Sequence, residues 1–392
     1  MAERPLRILL TDPHSDGGGQ VRYIQNLAGE LVRLGHDVTI GCRRGSVLVE
    51  VARAAGARAL DSFHFARGLR ISPWYRDIRA MRAYLRSETP DIVHVSGSQD
   101  HWVAALAVAG DRTGMPIVRT RHNTYAVKRG VANRLLNRRW TALQITVCEM
   151  VRATLMAHPA FDPERLVSIH NGVDTARYHP DANARAAARA EFGYSDEHVV
   201  CGIAARLVKA KGHTYLFQAA ASLRDEIPEL RLLVLGQGAL EGALRAQVRD
   251  LGLEDGVCFA GFRDDMPACV QALDIGVLPS IDCDTSSFSL KEQMAAGIPV
   301  IASDYGGLPE IVTDGAEGLI VPNGTVAPLA AAIRRLARDK ADRESMGQQG
   351  RARVVREFSL ETFAARTVDA YRRAIALRAG HAWDATDEHT TP

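Results

Sequence analysis

The chain lacks most of the features that announce a secreted, membrane-spanning or metal-holding protein. Its six cysteines (Cys42, Cys148, Cys201, Cys258, Cys269 and Cys283) are scattered with no C-x-x-C pair. That pattern argues against a zinc site or a disulfide framework and for small buried residues in a reducing compartment. No stretch reaches the roughly 18 uninterrupted apolar residues of a membrane span. The opening MAERPLRILLTD has no long apolar core or small-residue cleavage site. It reads as a first strand and not as a signal peptide. A cytoplasmic protein is expected.

What is present fits a soluble globular protein: 46% hydrophobic and 24% charged residues over 392 positions. That length exceeds one ordinary core, so two domains are expected. The net charge of +2 is unevenly shared, because residues 1–150 hold 22 basic and 13 acidic side chains and the remainder 26 and 33. A first half at +9 beside a second half at −7 fits a first half that faces something anionic. An arginine-rich composition from a GC-rich genome would look the same.

Short apolar runs alternate with amphipathic segments through the first half: LRILLTD, DVTIGC, DIVHVSG, PIVRTRH and LQITVC. Between them, VRYIQNLAGELVRLG repeats Val21, Ile24, Leu27, Leu31 and Leu34 at helical spacing. Such alternation predicts a parallel sheet with helices on both faces. A turn at Asn171-Gly172, Pro180 and an alanine-rich segment interrupt it, and a second alternation runs from VVCGIAARL to GLIVP. The expected domains are 1–177, completed by a helix at about 363–380, and 178–362, with a disordered tail at 381–392. In open α/β sheets ligands bind beyond the carboxyl ends of the strands, so a cleft between the two sheets is the expected site.

Several motifs fall at those strand ends. RLVKAKG places Arg206 and Lys211 just after a strand, and two cations there suit a diphosphate. The alternative is a solvated charged loop. DTSSFSLKEQMAAGIPV carries Asp284 and Glu292 around hydroxyls that open a helix. A helix N-terminus accepts phosphate, Glu292 can take a ribose diol and Asp284 can grip sugar hydroxyls; a capped helix with a surface acid is the alternative. HSDGGGQ sets Gly17, Gly18 and Gly19 between a strand and a helix, a place for close backbone approach or simply a flexible turn. His94 and His122 end strands, and Asn123, Thr124 and Tyr125 extend a polar cluster beside His122. VLGQGALEG imitates a dinucleotide fingerprint, but its G-x-G-x-x-x-G spacing argues against NAD. In VKRGVANRLLNRRW, Val131, Leu135, Leu136 and Trp140 form an apolar stripe flanked by Lys128, Arg129, Arg134, Arg138 and Arg139. This segment is either a membrane-surface helix or a packed helix with a basic outer face.

In this order and spacing the motifs resemble glycosyltransferase family 4, retaining enzymes of the GT-B fold, along nearly the whole chain. The matching elements are Gly17-Gly18-Gly19-Gln20, Asn171 to Asp174, Arg206 to Gly212, and Asp284 to Glu292 followed by QMAAGIPV. The resemblance implies two Rossmann-like domains, a nucleotide-sugar donor held by the second, a glycan or glycolipid acceptor held by the first, and a final helix that crosses back to the first domain. It implies that Arg206 and Lys211 hold the diphosphate and Glu292 the ribose. Backbone near Phe262 and Arg263 would meet the base, and amides of Ser287, Phe288, Ser289 and Leu290 the phosphate. His122 would touch the donor sugar. No metal or other cofactor and no nucleic-acid partner is implied, and the membrane contact would be peripheral. Three positions depart from the family pattern. Asp284 stands for a glutamate, Ser287 for a common glycine and Lys291 for an apolar residue. Another GT-B enzyme, such as a nucleotide-sugar epimerase or phosphorylase, and a non-catalytic membrane- or polyanion-binding module are the competing readings.

Overall fold

The computed structural model describes residues 4–68, 70–111 and 114–380. The tail expected at 381–392 lies outside the described residues. The chain divides into two compact units, Met1–Gly172 with Leu360–Pro392, and Val173–Ser359.

The first unit holds a seven-stranded parallel sheet. Its strands are β1 (Arg7–Thr11), β2 (Asp37–Arg43), β3 (Arg58–Phe63), β4 (Ile92–Val95), β5 (Ile117–Arg121), β6 (Leu143–Thr146) and β7 (Leu166–Ser168), in the order β3-β2-β1-β4-β5-β6-β7. The second unit holds β8 (Val199–Ala204), β9 (Leu230–Leu235), β10 (Val257–Gly261), β11 (Ile275–Leu278), β12 (Val300–Ser303) and β13 (Gly318–Val321), in the order β10-β9-β8-β11-β12-β13. The strands read as near-continuous apolar runs because helices cover both faces of a parallel sheet. Alternation along β8 and β9 shows this directly. Cys201, Ile203, Leu232 and Val234 enter one core, while Val200, Leu233 and Leu235 enter the other.

In each sheet the winding reverses once, between β1 and β4 and between β8 and β11. Connections leaving the two central strands there run to opposite faces, which opens a crevice at their carboxyl ends.

The helical spacing near the start becomes the Gly19–Arg33 helix, with Val21, Ile24, Leu27 and Leu31 buried. Leu34, expected on the same stripe, is the C-cap residue and is exposed. The units meet at 172/173, five residues before the expected boundary. Val173 bridges to Ser359, and Val173 and Tyr178 both pack in the second unit's core. The boundary expected at 362 likewise moves to 359/360.

The last helix, Leu360–Ala379, belongs to the first unit. Phe363 packs edge-on against Tyr23, centroids 5.1 Å apart. A Cβ on Gly172 would lie 2.7 Å from Phe363 Cβ, so glycine is required for that approach. Tyr371 Oη lies 2.6 Å from His94 Nδ1, and Thr120 Oγ1 lies 2.7 Å from its Nε2. His94 is thus a satisfied core histidine that joins the final helix to the sheet.

Burial holds the His94 pKa at about 3 and lowers that of His101 as well. Unfolded imidazoles titrate near 6.5, so the unfolded chain takes up protons that the folded one refuses. This stability is present above pH ~6.5 and is lost as pH falls toward the folded values. Asp100, raised by burial to about 6, acts oppositely between about 6 and its unfolded value near 3.9. The expected result is a urea midpoint that falls between pH 7 and 5, with a shallower fall in His94→Gln. Identical slopes in the two proteins would remove His94 from this account.

Candidate active site

The crevice of the second sheet is built by two chain segments that press on each other. Beyond β8 come Arg206, a short 3-10 turn Lys209–Lys211 and Gly212, whose φ of 72° caps the His213–Leu223 helix. A Cβ on Gly212 would sit 1.9 Å from the Pro279 carbonyl oxygen, so the turn can close only on glycine. The chain leaving β11 then runs through Ser280 to Asp284. Lys211 Nζ lies 2.6 Å from Asp284 Oδ2, with side chains 16% and 7% exposed. Ser280 Oγ donates to the same carboxylate oxygen. The Asp284 backbone is held from the loop after β12. Gly307 N donates to its carbonyl at 3.2 Å, and a Cβ on Gly306 would lie 1.9 Å from that oxygen. Arg206 stands exposed at the rim.

The Phe288–Ala295 helix starts at Ser287, whose hydroxyl accepts from Leu290 N. That cap corrects one expectation. The Leu290 amide is already spent on Ser287 Oγ at 3.3 Å, and the Leu290 side chain is wholly buried in the core. The amides of Phe288 and Ser289 lie in the first turn, at the positive end of the helix. Glu292 is buried one turn further in. Lys291, where the family often has an apolar residue, is wholly buried. Its Nζ lies 2.9 Å from Ser286 Oγ and 5.6 and 5.4 Å from the Phe288 and Phe358 ring centroids, contacts that favour a cation there.

At the end of β10, Phe262 is exposed. The Arg263 guanidinium is taken by Asp265, at 2.7 and 2.6 Å, and by Glu191, at 2.6 Å. The Arg263 hydrogen bond holds the Asp265 carboxyl down at about 2. This leaves Phe262 and the local backbone, not the Arg263 side chain, for a base. The glycines of VLGQG serve packing. Cβ atoms on Gly236 and Gly238 would meet the carbonyl oxygens of Ala205 and Leu207 at 2.1 and 2.5 Å, on either side of Arg206.

The first unit has its own cavity of about 670 Å³ at the β1/β4 reversal, lined among others by His14, Gly17, Arg119 and His122. Gly18, with φ 140°, caps the Gly19–Arg33 helix, and a Cβ on Gly17 would meet no atom within 4 Å. His122 follows β5 directly and packs edge-on against Tyr23 at 4.7 Å. Burial lowers its pKa to about 3, so it is a neutral imidazole suited to hydrogen bonding and not to proton donation at neutral pH. Sequence reasoning missed Asp12, whose Oδ1 lies 2.6 Å from His14 Nδ1 and raises that imidazole's pKa. It also missed Arg119 and Arg121 inside β5. The signal was two arginines in an otherwise apolar strand.

The 128–139 segment is only partly the expected helix. Lys128 and Arg129 precede it, Val131–Leu135 is α-helical and Leu136–Trp140 is a π turn. The apolar stripe divides. Leu136 and Trp140 pack inward, whereas Val131 and Leu135 are exposed. Among the described residues no helix is long and apolar enough to cross a membrane.

Two doubly wound parallel sheets, the second with Arg206, Lys211 and Asp284 gathered at its reversal point, place these units in the class of Rossmann-like α/β folds. Comparison with known proteins narrows this class. Residues 17–177 match the model for Glycosyltransferase Family 4 and residues 185–353 that for Glycosyl transferases group 1. Bacillus subtilis glycosyltransferase EpsD is 30% identical over 74% of this chain and 77% of its own length. D-inositol 3-phosphate glycosyltransferase of Streptomyces bingchenggensis is 28% identical over 96% and 91%. The fold is shared with a Rickettsia africae glycosyltransferase (TM-score 0.86, 18% identity, 95% and 99% covered). It is also shared with Anabaena HepE in complex with UDP (TM-score 0.82, 20% identity, 94% and 100% covered). The chain belongs to glycosyltransferase family 4, with the GT-B type of two Rossmann-like domains. It is a glycosyltransferase.

The two glycine loops differ in what they tolerate. Gly306→Ala is expected to cost about 1–3 kcal/mol or more of unfolding free energy, because the new Cβ meets a backbone carbonyl. Gly17→Ala should be within about 0.5 kcal/mol of the parent. Urea denaturation decides, and equal midpoints for all three proteins would refute the close approach at Asp284.

Proposed function

We propose that this enzyme transfers a hexose from a nucleotide-diphosphate sugar to a glycan or glycolipid acceptor with retention of configuration. Its place would be the biosynthesis of a bacterial surface polysaccharide or lipopolysaccharide, at the cytoplasmic face of the membrane. The observation that carries the reading is the Lys211–Asp284 pair at the β8/β11 reversal, next to Arg206 and the start of the Phe288–Ala295 helix. Lysine has three N–H donors. One serves Asp284, and the others are free in geometry to meet diphosphate oxygens. Asp284 Oδ1 can then accept from a hydroxyl of the sugar that the diphosphate carries.

In the reaction the bond between the anomeric carbon and the diphosphate oxygen breaks. A bond to the acceptor hydroxyl oxygen forms on the same face. The hydroxyl proton passes to the departing diphosphate, which otherwise leaves with an extra negative charge. Arg206, Lys211 and the amides of Phe288 and Ser289 oppose that charge as it develops, which lowers the barrier more than it tightens substrate binding. The scheme calls on no metal ion or other cofactor. Neutral His122 would hydrogen-bond the sugar, and buried Glu292 the ribose. HepE was captured with UDP and with UDP-glucose, and a Mycobacterium tuberculosis relative, 34% identical over 53% of this chain, is named as GDP-mannose-dependent. UDP and GDP sugars are therefore the donors to test first.

Lys211→Ala is expected to lower kcat by roughly 10²–10³ with the matching donor. Full turnover by this variant would overturn the assignment of the diphosphate site.

Peripheral membrane contact rests on Tyr125 and Val131, 74% and 85% exposed, beside Lys128, Arg129, Arg134, Arg138 and Arg139. A basic residue near an anionic surface contributes about 1 kcal/mol. Replacing Arg134, Arg138 and Arg139 by glutamine should weaken sedimentation with phosphatidylglycerol vesicles by roughly 100-fold, while unchanged binding would exclude this segment.

A further inference from the structure

The cavity of the first unit is walled by five cationic side chains, Arg43, Arg67, Arg119, Arg121 and Lys128, and by one carboxylate, Asp16. Two of the arginines are sunk into the protein on β5. Arg119 is 7% exposed. Its Nη1 lies 2.5 Å from His101 Nδ1 and its Nη2 3.3 Å from Ser98 Oγ. His101 Nε2 in turn lies 2.8 Å from Thr141 Oγ1, and that hydroxyl donates to the Leu136 carbonyl. The relay is self-consistent only if His101 is neutral and accepts at Nδ1. Arg121 donates to Gln144 Oε1 at 3.0 Å and to Asn137 Oδ1 at 2.8 Å. Arg43 donates to the Phe65 carbonyl. The partners of all three guanidiniums are therefore neutral.

Burying a charge costs several kcal/mol unless another charge meets it. Arg189, the other buried arginine among the described residues, is met by Asp274 at 3.0 Å. Arg119 and Arg121 have no carboxylate among their hydrogen-bond partners; buried Asp100 acts on Arg119 through space, and the Arg121 guanidinium lies 5.0 Å from the Phe161 ring centroid. Burial depresses the Arg119 pKa to about 10 and lowers that of Arg121. Moreover, among the described residues the Nε–H groups of Arg119 and Arg43 find no acceptor. A cavity whose wall carries five cations against one carboxylate, with incompletely bonded guanidiniums buried behind it, suits a multiply charged oxyanion.

We propose that this cavity binds a phosphoryl group carried by the acceptor, so that the sugar is transferred to a phosphorylated molecule. A phosphate ester brings up to two negative charges and three acceptor oxygens, which match planar guanidinium donors. A carboxylate brings one charge and two oxygens and leaves the wall under-neutralised. The proposal rests on the reading of this enzyme as a transferase whose first unit receives the acceptor. The phosphate arises either from a soluble sugar phosphate or from a lipid headgroup. A second cavity of about 150 Å³, largely apolar, shares Asn123, Tyr125, Ala126 and Val127 with the first, so both sources are structurally reasonable.

The test is calorimetry on the full chain, titrated with inorganic phosphate while UDP is present at saturation. Phosphate should bind at one further site, and Arg121→Met and Arg119→Met should each weaken it by roughly tenfold or more. Arg67→Ala, at the exposed rim, should weaken it several-fold without disturbing the fold. Arg121→Lys keeps the charge but loses the fork and should fall between parent and Met variant. UDP binding itself should be unchanged in these variants and weakened in Lys211→Ala, which separates failure of the donor site from failure of this one. Displacement of phosphate by glucose 6-phosphate but not by phosphatidylinositol vesicles assigns a soluble acceptor, and the reverse assigns a lipid-linked one. Phosphate binding that survives in the folded arginine variants, or acetate binding as tight as phosphate, would overturn the proposal.

Discussion

The constraint from which the rest follows is that a parallel sheet must be covered on both faces. Successive strands are joined by crossovers of one hand, so covering both faces requires the winding to reverse within each sheet. At the reversal two neighbouring strands send their chains to opposite sides, and nothing from the sheet itself fills the space above them. Both reversals here gather ionisable and polar residues: Asp12, His14 and Asp100 beside β1 and β4, and Lys211, Ser280 and Asp284 beside β8 and β11. The chemistry is placed by topology before any particular side chain is considered.

How the two crevices handle charge differs, and the difference is informative. In the second unit the cation and carboxylate meet at 2.6 Å, so the site is largely neutral and preorganised. An incoming diphosphate adds contacts without relieving an unpaired charge. In the first unit the β5 guanidiniums are held in place by amide oxygens, a hydroxyl and a neutral imidazole. Those partners fix orientation, and no carboxylate bonds either guanidinium directly; the through-space charge of Asp100 on Arg119 and the Phe161 ring under Arg121 offset part of the cost of burial.

Local rules were readable wherever local chemistry decides. The strands follow from apolar runs of fitting length. Ser287 follows from the preference of hydroxyls for the N-cap. The placement of Arg206, Lys211, Asp284 and Glu292 at strand and helix ends follows from their spacing. What was not readable depended on partners distant in the chain. His94 and His122 look alike as strand-end histidines. Only Tyr371, 277 residues on, separates the first as a core residue. The unit boundary moved to 172/173 because Val173 meets Ser359, a pairing that no periodicity encodes. The stripe through Val131, Leu135, Leu136 and Trp140 was read with one helical period. The π turn at Leu136–Trp140 changes that period and sends its two halves in opposite directions.

Gly306 and Arg119 show how the same limitation hides functional residues of opposite kinds. Gly306 matters for what it lacks, since any Cβ would strike the Asp284 carbonyl. In sequence it is one glycine in a turn. Arg119 matters for what surrounds it. In sequence it is one arginine in a strand, and an edge strand with a solvated cation would look identical. Only when helix Ser98–Asp111 brings His101 and Ser98 against it does the arginine become buried and oriented. A charged residue inside an otherwise apolar parallel strand is thus worth treating as a site residue from the outset. In a sheet covered on both faces it has no solvent to reach except through a crevice at the strand's end, and the reversal point is where such a crevice lies.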